Sequence, residues 1–108
     1  MPTYMTQFNY TREAWAKLLK NPEDRSKPVT ELLESLGGKL LGLYYLAGDY
    51  DGFIIYEAPD ANTAATGIVA AAAAGHLRTT KTSQLYSMSE AMEIVANAGK
   101  IAFAAPKG

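Results

Sequence analysis

The sequence predicts an α+β domain: a ferredoxin-like sandwich in βαββαβ order, with one helix added at the C-terminus. Three observations carry this. Runs of period-two and period-3.6 apolar spacing succeed one another as strand, helix, strand, strand, helix, strand. Turn residues, Gly48-Asp49-Tyr50-Asp51-Gly52, stand between the two central strands, as a hairpin requires. The length of 108 residues fits one domain over 1–108, and 48% hydrophobic residues suffice for a core.

Thr3 to Tyr10 alternates, with Tyr4, Thr6, Phe8 and Tyr10 on one face, and predicts a half-buried strand. Thr11 caps the helix that follows, in which Ala14, Trp15, Leu18 and Leu19 form one apolar stripe. Asn21-Pro22-Glu23-Asp24 is a second helix start: a cap, a proline at the first position and two acids at the positive dipole end. Pro28 predicts a break in that helix. The pattern resumes at Val29 with Leu32, Leu33 and Leu36 and ends at Gly37-Gly38. Lys39 to Ala47 and Phe53 to Ala58 read as the strands of the hairpin. Asp60 caps a helix from Ala61 to Gly75 that has no charged residue and contains the run Ala70 to Ala74. His76 to Tyr86, rich in threonine, is the last strand. Ser87 and Glu90 make a capping box for a final helix whose stripe is Ala91, Ile94, Val95 and Ala98. Ile101 and Phe103 in the tail are expected to dock.

Charge is unevenly spread. Residues 11–39 hold eleven of the twenty-one charges, whereas residues 40–75 hold four, all acidic. The first helical region is therefore solvated and the hairpin and second long helix largely buried. A helix uncharged all round is buried all round, which a lone sandwich of this size cannot achieve. Burial in a homo-oligomer is the expectation. Tyr44, Tyr45, Tyr50, Phe53 and Tyr86, with Tyr4, Phe8 and Tyr56, add more aromatic surface than one helix-covered face can take.

Other classes are excluded by composition. A net charge of -1 gives no electrostatic footprint for nucleic acid. No cysteine and one histidine argue against thiolate chemistry and a multi-histidine metal centre, so neither a metal nor a cofactor is expected. No apolar run reaches the roughly 20 residues of a membrane helix, and Met1 to Tyr10 lacks the pattern of a secretory signal. A cytoplasmic protein without a membrane partner is expected.

Leu36-Gly37-Gly38-Lys39-Leu40, Gly48-Asp49-Tyr50-Asp51, Glu57-Ala58-Pro59-Asp60, Gly75-His76-Leu77-Arg78-Thr79 and the segment Ser87 to Val95 together resemble the GYD domain family, named for a Gly-Tyr-Asp motif that stands here as Gly48, Tyr50 and Asp51. The extra Gly52 and the alanine-rich helix depart from its pattern. The resemblance implies a relative of the dimeric α+β barrels, in which two ferredoxin-like sheets pack face to face. It implies little about activity, because that barrel hosts oxygenases, isomerases, haem enzymes and ligand sensors.

The candidate ligand-binding residues are Tyr50, Asp51, Glu57, His76 and Arg78. His76 offers a general base or an axial haem ligand, against a plain role at a helix end. Tyr50 and Asp51 carry the family signature, against ordinary turn chemistry. Glu57 ends an apolar strand and alternates with Phe53 and Ile55, so an inward carboxyl there would need a partner. Arg78 is read on one face with His76, Thr80 and Thr82 as an anion clamp, against protection of a strand edge. Two functions follow. The first is a homo-oligomeric module that binds a small apolar or aromatic molecule or serves assembly. The second is a cofactor-independent oxygenase or isomerase acting on an aromatic or lactone-like substrate, which requires at least two of Tyr50, Glu57, His76 and Arg78 to converge on one pocket.

Overall fold

A computed structural model describes residues 1–107. The elements run β1 (Thr3–Tyr10), α1 (Arg12–Lys20), α2 (Ser26–Ser35), β2 (Lys39–Tyr45), β3 (Gly52–Glu57), α3 (Ala61–Ala73), β4 (Leu77–Leu85) and α4 (Met88–Ala98). The sheet has the order β2-β3-β1-β4 with every neighbouring pair antiparallel. This is the ferredoxin-like α+β arrangement expected from the element order.

The caps follow the side chains. Thr11 accepts from the Ala14 amide, Asp60 from the Thr63 amide, and Ser87 and Glu90 form the reciprocal box. Exposed Asp60 and Glu90 both sit below the usual carboxylate range, because backbone amides at their helix starts favour the charged form.

Several boundaries differ from expectation, by one or two residues at β3, α3 and β4 and for physical reasons at α2 and β2. α2 begins at Ser26, not after Asn21, because Asp24 accepts from the Ser26 amide and holds 21–24 as a loop. Pro28 consequently falls in the first turn of α2, where its missing N–H has no helical partner to lose, and no break occurs. β2 stops at Tyr45, and the Leu46 amide turns to the Asp51 carbonyl to close the hairpin.

α2 ends in a Schellman motif. The Gly37 amide donates to the Glu34 carbonyl and the Gly38 amide to the Leu33 carbonyl, with Gly37 at a φ of 77°. Gly38 then passes so close to β3 that a Cβ there would lie 2.4 Å from the Glu57 carbonyl oxygen. Backbone cannot yield as a side chain can. Gly38→Ala is expected to lose about 1–3 kcal/mol of stability, measured by urea unfolding.

The core lies between the sheet and the helices. Tyr4, Leu33, Tyr56, Ala58 and Ala64 form one buried cluster, and Phe8, Tyr10 and Ala14 another. Strand alternation places Met5, Phe53, Ile55 and Glu57 on the opposite face, where Tyr44 stacks on Phe53 with ring centroids 5.2 Å apart. The buried clusters set α1, α2 and α3 on the first face, not on this one.

α4 stands apart. None of its residues is buried, and Met88 and Val95 are 77% and 65% exposed. The molecule measures 58 × 36 × 22 Å, and its radius of gyration of 17.5 Å exceeds the about 13 Å of a compact chain this size. The outer side of α3 is open too, with Val69, Ala72 and Ala73 exposed. Ile101 and Phe103, expected to dock, are instead exposed. Among the described residues no helix is long and apolar enough to cross a membrane.

Candidate functional site

The small side chains of α3 shape the interior. Ala64, Gly67 and Ala71 face the sheet across a layer that larger residues would fill, and a cavity of about 320 Å³ remains. Its floor is Phe8, Ile54 and Tyr56 from the sheet, and its sides include Leu32 of α2, Leu36 at the C-cap of α2 and Ile68 of α3. Alanine suits this place because it keeps the helix while giving up volume.

The floor has little free polarity. Thr6 Oγ1 shares hydrogen bonds of 2.8 Å with Tyr56 Oη and with Thr82 Oγ1. Burial raises the Tyr56 phenol above its ordinary value in spite of the two threonines, so its proton stays in that chain. Among the described residues no buried side-chain nitrogen or oxygen lacks a partner.

Polarity returns at one end. Tyr10, Arg25 and His76 line the cavity and also line an adjoining depression walled by Lys17, Lys20 and Glu23, so they stand where the two meet. Arg25 pairs with Glu23. The Tyr10 hydroxyl shares a 3.1 Å hydrogen bond with Tyr45, and burial, followed by this bond, pushes its pKa upward. Tyr10 also packs edge-on against Trp15, with centroids 5.1 Å apart. His76 is fixed from behind, since its carbonyl accepts the Thr11 amide at 2.9 Å.

Of the residues singled out in the sequence, His76 lines this cavity; Tyr50, Asp51, Glu57 and Arg78 do not. Asp51 is a clasp. Its Oδ2 accepts from the Tyr10 amide at 2.9 Å and from Trp15 Nε1 at 3.0 Å, while its own amide donates to the Phe8 carbonyl and to Asn9 Oδ1. Asn9 continues to Thr79 Oγ1 at 2.8 Å. The clasp thereby ties the hairpin turn to the end of β1, the start of α1 and the edge of β4. Tyr50 is half-buried in that turn. Glu57 lies opposite Thr3 and Lys39. Arg78 sits at a register shift: Asn9 faces Thr79 and Tyr10 faces Leu77. This bulge cancels the simple alternation of His76, Arg78, Thr80 and Thr82 and puts Leu77 on the side of Thr80 and Thr82.

Residues 4–95 match the model of the GYD domain. The chain belongs to the GYD domain family. This GYD domain is 32% identical over 79 residues to the "Glutamine synthetase and cystathionine beta-lyase binding protein" of Thermus thermophilus, covering 73% of this chain and 83% of that one. Its fold is similar to the crystal structure of MtbAldR, with a TM-score of 0.58 and 16% identity over 80% of the GYD chain. The chain spans 53% of MtbAldR, and the likeness concerns the fold alone. An uncharacterized NIPSNAP domain protein from Burkholderia xenovorans is 17% identical over 81% of this chain and 94% of that one, with a TM-score of 0.45.

The residues missed in the sequence are Arg25, Tyr10 and the cavity-facing alanines of α3. The signal for the last was present: an alanine-rich helix set over large apolar strand residues leaves space. Nothing local marks Arg25, which stands at the N-cap of α2.

Proposed function

We propose that this GYD domain is a homo-oligomeric, small-molecule-binding module whose ligand occupies the cavity between the sheet and α2 and α3. The observation that carries this reading is the cavity itself. Its volume of about 320 Å³ falls at the lower end of the roughly 300–1,000 Å³ of ligand pockets. Its walls are apolar except at one end, which suits a small apolar or aromatic molecule.

Assembly is supported by surfaces the chain leaves uncovered. The open sheet face carries Met5, Phe53, Ile55 and Tyr44, and the projecting α4 carries Met88, Met92 and Val95. Two copies packed sheet to sheet, each with α4 laid on the other, would cover both. A cytoplasmic setting fits a chain without cysteine.

A second reading, docking onto an unrelated protein, is favoured by the same α4 and by the printed name of the Thermus relative, which describes a binding protein for two enzymes.

Native mass spectrometry of tag-free protein tests both parts. A dimer or larger assembly carrying extra small-molecule mass is the expected result. Tyr44→Glu on the sheet face and Val95→Glu on α4, both at exposed positions, are expected to shift it toward monomer; Val95→Glu should leave the thermal unfolding of the monomer unchanged within about 0.5 kcal/mol, whereas Tyr44→Glu should cost it about 1 kcal/mol through the lost stacking on Phe53. A wild-type monomer at all concentrations, with a partner enzyme bound through α4, would replace the first reading by the second.

A further inference from the structure

We propose that the ligand is an amphipathic anion, with its apolar tail between the sheet and α3 and its anionic head at Arg25 and His76. This rests on the ligand-binding reading above and names the ligand class.

The floor sets the tail. Thr6, Tyr56 and Thr82 have their hydroxyls committed to one another. A polar group pushed down to Phe8, Ile54 or Ile68 would lose its water without a replacement partner. The deep end therefore selects carbon.

The mouth sets the head. Tyr10, Arg25 and His76 border both the cavity and the depression outside it. The charged residues of that depression are Lys17, Lys20, Arg25 and Glu23, three cations against one anion, in a chain whose net charge is -1. Glu23 is already paired with Arg25. A guanidinium has five N–H donors in a fork, so Arg25 keeps donors for a second acceptor. The Tyr10 hydroxyl, held to Tyr45 at 3.1 Å, is a neutral group and does not repel an anion. An acid whose head enters this mouth meets cations on its water side and hydrocarbon on its inner side. Carboxylate and phosphate share this chemistry.

The test titrates the full chain with decanoate, decyl phosphate and decan-1-ol, each below its micellar concentration, by calorimetry and by the fluorescence of Trp15, which packs on Tyr10. Both anions are expected to bind about 10-fold or more tighter than the alcohol, as a charge-assisted hydrogen bond implies, and the tighter of the two names the head. Arg25→Gln should remove that advantage, weakening the anions about 10-fold more than the alcohol. Salt raised from about 0.05 to 0.5 M should weaken the anions alone. Ala71→Phe, which fills the cavity, should weaken all three probes; Ala74→Leu at the end of α3 does the same work if the first variant does not fold. Equal binding of decanol and decanoate, lost together in the filled variants, would overturn the anionic head and keep the cavity. Binding indifferent to both filled variants, or no binding of any probe, would overturn the cavity as the ligand site.

Discussion

Tyr56→Ala is expected to lose about 3–5 kcal/mol of stability, enough to bring a domain of this size close to unfolding. Tyr56 is only 1% exposed, the largest fully buried side chain among the described residues. Its ring stacks on Tyr4 with centroids 5.7 Å apart, and its hydroxyl meets Thr6 on β1, which in turn meets Thr82 on β4. Truncation removes the ring that joins three strands and opens a void beside an existing cavity. The neighbouring space lets water in and does not let the wall collapse, so relaxation recovers little. Tyr56→Phe separates the two contributions. Thr6 keeps Thr82, so losing the hydroxyl should cost about 1 kcal/mol. Urea unfolding of both variants, followed by circular dichroism, gives the comparison. Equal losses for Phe and Ala would show that the hydrogen-bond chain dominates and the ring does not.

Asp51→Ala is expected to cost about 2–4 kcal/mol, because one carboxylate oxygen serves two donors that then go unpaired. The Tyr10 amide and the Trp15 indole N–H are the donors. Asp51→Asn keeps an acceptor oxygen and should recover roughly half of the loss, in line with the weaker neutral bond. Trp15 is the sole tryptophan, so its emission reports the break directly: a shift to longer wavelength in Asp51→Ala under native conditions, with β1 and β3 still paired. An unchanged emission with unchanged stability would mean that the motif aspartate serves something other than this clasp.

What was legible in the sequence was local. Thr11, Asp60, Ser87 and Glu90 announce helix starts because a cap acts on an amide two or three residues away, and all are found capping. The strand order follows from the element order through a short list of allowed connections. Asn21 misleads because it closes α1 as its C-cap, with its amide donating to the Lys17 carbonyl, whereas α2 starts at Ser26 without a side-chain cap. Pro28 misleads because a proline breaks a helix only beyond the first turn, and α2 starts at Ser26, later than the Asn21-Pro22 signal implies. The site was less legible than the fold. His76 could be picked out as a lone imidazole, but its companions Arg25 and Tyr10 come from a loop and a strand distant in the chain. The alternation that puts Arg78 with His76 is interrupted by the bulge. The capped helix α4 was plain, whereas its separation from the body depends on the absence of a facing groove, which no periodicity records.

The alanines of α3 make the interior of this domain editable. Cavity volume is set at Ala64, Gly67 and Ala71, three positions on one face of a helix whose cap at Asp60 lies elsewhere. A methyl added at Gly67 would already press on Leu36 Cδ1, at 2.8 Å. Each further methylene on this face removes space from the ligand and adds about 0.8 kcal/mol of apolar burial to the protein. Descendants of this sequence can thus trade ligand size against fold stability in single steps, with the sheet, the caps and the Asp51 clasp left as they are.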